Sequence, residues 1–276
     1  MAFANPFSKD SDVHYKNLKT YRVLTLLSFL FSMIVNLYYS AAIPFVKHSI
    51  HSTWSQSDAH PTPFTINHIF VAIFWVYLWL NQAGYIWHLY ASSEDLRKTA
   101  SGVGSHFIVF NILQGIWAFL WVNGHFWWSE AVLVLNFVQQ CSLYFRQPTT
   151  PRYIHMSAVS LPIVWLFFAV LWNGAVMVHC HDLACRIVAN VAVWGIAVYA
   201  GFFLMVYQDY SIGFGTAFLA AGLGVAQFFT KLFALQWIFA FTIMSLVFVA
   251  TLLTISPAGE RIKSTDRERA PLLQEA

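Results

Sequence analysis

About eight times along this chain, an apolar run of roughly 20 residues is closed by a short polar break. No other feature limits the fold as much. A run of that length matches the hydrocarbon thickness of a bilayer when it is helical. Lipid offers the backbone no hydrogen-bond partners, so only helices and closed barrels can span it. The runs are too long and alternate too poorly to be barrel strands. Composition agrees: 58% of the residues are hydrophobic and 10% are charged, against about a quarter charged in an ordinary soluble domain. The expected fold is an all-α, polytopic transmembrane helical bundle of about eight helices. No basic face for nucleic acid is apparent. Three cysteines make no disulfide framework. The polar first twenty-odd residues and the long first apolar segment do not read as a cleavable signal peptide.

The periodicity places helices near Val23 to Val46, Ile66 to Tyr90, His106 to Val122, Trp127 to Phe145, Ala158 to Val178, Arg186 to Tyr207, Gly213 to Phe229 and Leu235 to Ile255. The seventh is rich in Gly and Ala; were it re-entrant, the count would fall to seven. The expected organisation is a tail over 1–22, a five-helix core over 23–178, a three-helix extension over 179–256 and a second tail over 257–276.

Charge gives the orientation. With the N-terminus in the cytosol, twelve of the fifteen Lys and Arg residues fall on the cytosolic side, leaving Lys47, Arg186 and Lys231 outside. The positive-inside rule expects this asymmetry. Basic tails at both ends also favour an even number of crossings. The N-terminal tail carries Asn5-Pro6-Phe7-Ser8-Lys9-Asp10, similar to an NPF-x-x-D endocytic signal. The C-terminal tail carries Glu268 before Leu272-Leu273, similar to an acidic dileucine signal. Both would recruit cytosolic sorting adaptors. They point to an endomembrane itinerary (vacuole, Golgi or endosome) or to the plasma membrane, and ordinary tails are the competing reading.

Tryptophan is unevenly spent. WAFLWVNGHFWWSE, from Trp117 to Glu130, holds four of the twelve tryptophans. Trp127 and Trp128 stand at a helix start beside an Asn-Gly turn, where an interfacial aromatic belt is expected. Trp117 and Trp121 are four apart and share a helix face with Gln114. Trp75, Trp79 and Gln82 repeat that pattern on the second helix, and Trp165, Ala169 and Trp172 form a stripe on the fifth. Indole faces stack on planar ligands and amides orient their polar edges; ordinary helix packing is the alternative. Asn136, Gln139 and Gln140 form a further stripe, read as interhelical hydrogen bonding. Asn136, Gln139, Asn173 and Asn190 would line a path if the chain moved a small solute.

The remaining reactive groups are sparse. His125 and Glu130 are a candidate acid/base pair. No nucleophile elbow, paired carboxylates or HExxH motif is present, so the chain is not expected to be an enzyme. In His179-Cys180-His181-Asp182-Leu183-Ala184-Cys185, the residues His179, His181 and Cys185 are candidates for a metal or haem iron. Cys180 and Cys185 are equally candidates for a lumenal disulfide, or for neither. Cys141 reads as a packing residue.

Trp117-Ala-Phe-Leu-Trp121, a short turn, an apolar fourth helix and then Pro162-Ile-Val-Trp165-x-x-x-Ala169-x-x-x-Asn173 resemble helices three to five of the tryptophan-rich sensory protein family. This is the TspO and peripheral benzodiazepine receptor group. Pro63-Phe-Thr and the Trp75–Trp79 stripe fit its second helix more loosely, and its Pro-Ala-Gly-like element is replaced by Ile66-Asn67-His68. The likeness covers about Leu24 to Val178, and the last three helices look like the extension of longer members. The chain also resembles fungal membrane proteins of this length and tail style. The resemblance implies a five-helix bundle that binds porphyrins, haem, sterols or aromatic drugs, with a groove between the first, second and fifth helices and the first loop. It carries Trp75, Trp79, Trp165 and Asn173 over as ligand contacts. Trp117 and Trp121 match the motif, and Trp172 belongs to the same stripe. The expectation is thus a non-enzymatic binder, receptor or carrier of a planar hydrophobic ligand, with porphyrin or haem as ligand and lipid and a second copy of the chain as partners. A small-solute transporter and an endomembrane structural or sorting protein are the alternatives.

Overall fold

The computed structural model describes residues 17–40, 52–146, 151–180, 182–230 and 235–256, together with Phe7 and Tyr15. Among these residues the chain is helical and has no strand. The long elements are α1 (Leu18–Ser40), α3 (His68–His88), α5 (Gly104–Val122), α6 (Phe126–Arg146), α7 (Arg152–Val178), α10 (Tyr210–Thr230) and α11 (Gln236–Ile255). Short helices α2 (Thr53–Ala59) and α4 (Glu94–Gly102) lie in the first two connections. The span Leu183–Tyr207 is made of α8 (Leu183–Ala192) and α9 (Gly195–Phe202) plus a final π-helical turn.

Seven of these segments are long and apolar enough to cross a membrane. The eighth, α6, is less apolar because it carries Ser129, Glu130, Asn136, Gln139 and Gln140. Its 21 residues reach about 31 Å, and a tight turn at Asn123-Gly124 folds it back along α5. Gly124 supplies the positive φ of +76° that this turn requires, and the amide of His125 donates to the carbonyl of Leu120. The chain is therefore an integral membrane protein with seven long apolar helices among the described residues and α6 packed beside them, where the apolar periodicity expects about eight crossings.

Two details differ from the sequence expectation. The fifth crossing begins at Arg152 rather than Ala158, through a π-helical turn at Met156–Ser160. The sixth is broken by a turn at Val193-Trp194. The seventh agrees with it: α10 is an uninterrupted 21-residue helix. Its Gly and Ala content reflects burial, since 67% of it is covered against 22% of α11. Small residues let helix backbones approach closely where lipid supplies no hydrophobic drive. A Cβ added at Gly222 would meet Phe70 Cβ at 2.7 Å, and one at Gly224 would meet the Phe241 ring at 2.9 Å. The first helix is described to Ser40, so residues 41–46 of its expected range lie outside the described residues.

α10 joins the extension to the core at the segment leading into α3. The side chain of Gln227 donates to the carbonyls of Thr62 (2.9 Å) and Thr65 (3.3 Å), and Gln236 donates to that of Pro63 (3.1 Å). The amide of Asn67 donates to the carbonyl of Gly222 at 3.1 Å, while its side chain caps α3 by accepting from the amide of Ile69. Ile66-Asn67-His68 is thus where the extension docks.

Substituting Gly222→Val forces α10 away from Phe70 and Ile66. It is expected to cost about 1–3 kcal/mol, seen as a lower melting temperature of the detergent-solubilised protein. Gly195→Ala, where an added Cβ meets nothing within 4 Å, is expected to leave the melting temperature unchanged.

Candidate functional site

Seven tryptophans from α2, α3, α5 and α7 form one continuous cluster. The helical spacings read from the sequence create it. Trp75 and Trp79 lie 5.6 Å apart on α3, and Trp75 meets Trp165 edge-on at 5.2 Å. Trp165 meets Trp117 edge-on at 5.9 Å, and Trp121 contacts Trp172 at 4.9 Å. Trp54, on α2 of the first loop, stacks on Trp172 with centroids 6.3 Å apart. Edge-to-face and offset contacts of this kind add to simple area burial.

The indole N–H groups divide into two sets. Trp117 donates to Asn173 Oδ1 (3.3 Å), Trp121 to the carbonyl of Thr53 (3.2 Å) and Trp165 to Gln114 Oε1 (3.2 Å). The N–H groups of Trp79 and Trp172 are buried and have no acceptor among the described residues. Both residues border a cavity of about 230 Å³ that also touches Trp54, Trp75, Trp117 and Trp165, with Asn36, Ser40 and Thr53 as polar neighbours. The cavity opens among α1, α2, α3, α5 and α7. It is an apolar, aromatic recess with two spare donors, the chemistry of a site for a flat ligand carrying acceptors.

Of the sequence-derived site residues, Trp75, Trp79, Trp117, Trp165 and Trp172 line this cavity. Trp121 and Asn173 do not. Trp121 is fully buried against Phe126 and Trp172. Asn173 Oδ1 accepts from Trp117 and from Ser129 Oγ (2.6 Å), and its Nδ2 donates to the carbonyl of Phe126 (3.0 Å). Both ends of its amide therefore join α5, α6 and α7. Sequence reasoning missed Trp54, the half-buried ring that covers Trp172. Its only local signal is the capping box of Ser52 and Ser55, which marks a helix inside the first loop.

The other candidates resolve separately. Trp127 and Trp128 are 70% and 71% exposed at the start of α6, facing away from the bundle. Asn136 donates to the carbonyl of Phe110 and so links α6 to α5, Gln139 donates to Asn136 Oδ1 within α6, and the buried amide of Gln140 has no partner among the described residues. His125 is exposed, whereas Glu130 sits against Gly174 on α7. No hydrogen bond or ion pair joins His125 and Glu130 among the described residues. Cys180 and Cys185 form a disulfide. That bond removes the Cys185 thiolate from any metal set, and no group of three metal-ligating side chains occurs among the described residues. His179 caps α7 in the left-handed region and its ring faces His60; His181 lies outside the described residues. So do Asn5, Pro6, Asp10, Glu268, Leu272 and Leu273 of the tail signals, while the Phe7 ring packs edge-on against His106.

Charge is segregated along the bundle. Arg22 donates to the carbonyl of Leu89 and Arg97 to those of Ala91 and Ser92. Arg146 ends α6 and Arg152 begins α7 at the same end, where Tyr153 stacks on His88. The disulfide and the mouth residues Thr53 and Trp54 lie at the opposite end.

Residues 186–273, which hold most of the extension, match a family of fungal proteins of unknown function (DUF1774). No match to the tryptophan-rich sensory protein family is found. The chain is 26% identical over 239 residues to an uncharacterized protein of Schizosaccharomyces pombe, covering 84% of this chain and 87% of that one. An alignment this long runs through the core as well as the extension. No solved structure matches.

Two outcomes follow from this geometry. In denaturant, maleimide is expected to label one thiol per chain, Cys141, before reduction and three after it; three before reduction would contradict the disulfide. Asn173→Leu leaves the Trp117 N–H without its acceptor, while the Ser129 hydroxyl keeps the carbonyl of Phe126 (2.9 Å), and is expected to cost about 1–3 kcal/mol, measured as a loss of thermal stability.

Proposed function

We propose that the chain binds a hydrophobic planar ligand of the tetrapyrrole or sterol-like class in the tryptophan-lined recess between α1, α2, α3, α5 and α7, without chemical conversion. The observation that carries this reading is the pair of buried indole donors, on Trp79 and Trp172, that border an aromatic cavity and lack an acceptor among the described residues. A buried donor without a partner is costly, and a ligand carbonyl, carboxylate or ring nitrogen would relieve it. A tetrapyrrole carries such acceptors on its ring nitrogens and carboxylates; the recess, at about 230 Å³, takes an edge of the macrocycle rather than the whole. The resemblance of the core to the tryptophan-rich sensory proteins supports the same class. The polar stripes suit transport less well, because Asn136, Gln139 and Asn173 are engaged in hydrogen bonds between or along helices.

The orientation that fits this reading has both termini in the cytosol. Basic residues gather at one end of the bundle and the disulfide lies at the other, where an oxidising lumen or exterior supports it. An endomembrane of the Golgi–endosome–vacuole route, or the plasma membrane, provides that polarity, and the tail signals would be read there by cytosolic adaptors.

The purified protein in detergent is expected to bind protoporphyrin IX saturably with quenching of tryptophan fluorescence. Trp54→Ala, Trp75→Ala and Trp165→Ala are each expected to weaken binding, on the order of tenfold. Affinity unchanged in all three variants would overturn the site.

A further inference from the structure

On the opposite side of α3 from the tryptophan groove lies a second recess, and no residue lines both. It is an apolar cleft of about 590 Å³, within the roughly 300–1,000 Å³ common for ligand sites. Ile73 and Phe74 of α3 and Leu161 of α7 form its core wall. Phe214 and Phe218 of α10 and Met244 of α11 form the other. Ile73 is half exposed and Phe214 about a third, so the cleft opens sideways to the acyl chains around the bundle.

One end of the cleft continues into a polar basin of about 180 Å³; Met156, Tyr210 and Ser211 line both. The basin lies at the basic end of the bundle. Two π-helical turns frame it, Met156–Ser160 on one side and Phe203–Tyr207 on the other, a feature frequent at functional sites. Asp209, the basin's carboxylate, is saturated. Its Oδ1 accepts the amides of Ser211 (2.9 Å) and Ile212 (3.2 Å) at the start of α10. Its Oδ2 accepts the hydroxyls of Ser160 (2.6 Å) and Tyr144 (3.3 Å), with His155 Nε2 at 3.7 Å. The helix N-terminus further offsets its charge. Donors, by contrast, are left over. Arg152 lies over the Tyr210 ring at 4.4 Å and has no ion pair among the described residues. The hydroxyls of Tyr207 and Tyr210 donate to no acceptor among them. A ligand of this basin must therefore bring acceptors and negative charge, and the cleft beside it takes a hydrocarbon chain.

We infer that this seam between core and extension binds a phospholipid-like amphiphile, with a phosphate head held by Arg152, Tyr207 and Tyr210 and one acyl chain in the cleft. A guanidinium beside two hydroxyls matches the several oxygens of a phosphate. The height of the basin, at the basic end of the spanning helices, is that of a lipid head group.

The test is binding of oleoyl lysophosphatidic acid to the full chain in maltoside detergent, counted by native mass spectrometry. One molecule per chain is expected to bind saturably. Arg152→Gln, an exposed position that should not disturb folding, is expected to weaken it on the order of tenfold, while leaving monooleoylglycerol, which lacks the phosphate, unaffected. Ala221→Phe, which fills the cleft, is expected to weaken both. Unchanged lysophosphatidic acid affinity in either variant would overturn the proposal. So would full displacement by millimolar inorganic phosphate, which would mark a simple anion site. Because the tryptophan groove shares no residue with this seam, protoporphyrin binding by the same variants reports on the other site separately.

Discussion

Within a bilayer the apolar faces of two helices gain little from meeting each other, because lipid tails are as apolar as leucine. What holds this bundle in one arrangement is therefore polar and steric. Asn173 is the clearest case: one buried amide takes an indole and a hydroxyl and gives its own N–H to a backbone carbonyl, tying three helices together. Trp121 and Gln56 do the same where the first loop crosses the end of α5. With these bonds removed, the tryptophan cluster would be a set of large rings with no fixed register. With them, the cluster has a fixed wall and two donors facing no acceptor among the described residues.

The extension is attached by the same means at a different place. Gln227 and Gln236 reach across to backbone carbonyls of the segment before α3, and the glycines of α10 allow the backbones to come close enough. The seam is tight at the α3 N-terminus and open toward its other end, where Phe214 and Ile73 leave the cleft. That taper gives the molecule two recesses of different character on the two faces of one helix. The fungal family match falls on the side of the seam away from the seven-tryptophan cluster.

Much of this was legible in the sequence. The long apolar helices follow from apolar run length, and the shared faces of Trp75 with Trp79 and of Trp117 with Trp121 follow from a spacing of four. Both are local properties, fixed by helix geometry. The roles of Asn173 and Gln114 were not legible, because an amide on an aromatic stripe looks the same whether it faces a ligand or a neighbouring indole. Trp54 was hidden in a loop with no stripe to join. The basin was hidden for a different reason: His155 and Asp209 are distant in sequence, and only the docking of α10 brings them together. The Cys180–Cys185 pairing stood among alternatives that a five-residue spacing cannot separate.

The π-helical turn at Met156–Ser160 has a consequence for the whole of α7. Such a turn holds one residue more than the regular helix, and a single residue rotates a helix by about 100°. Residues on the two sides of it are thus out of phase with a continuous α-helix. Tyr153 and His155 can face α3 and Asp209 while Trp165 and Trp172 keep their places in the aromatic cluster. Relative to this alignment, deleting one residue within the turn would swing the first turn of α7 around its axis as a unit. The two recesses are in this sense keyed to each other by one surplus residue, and the chain's length at that point is as specific as its composition.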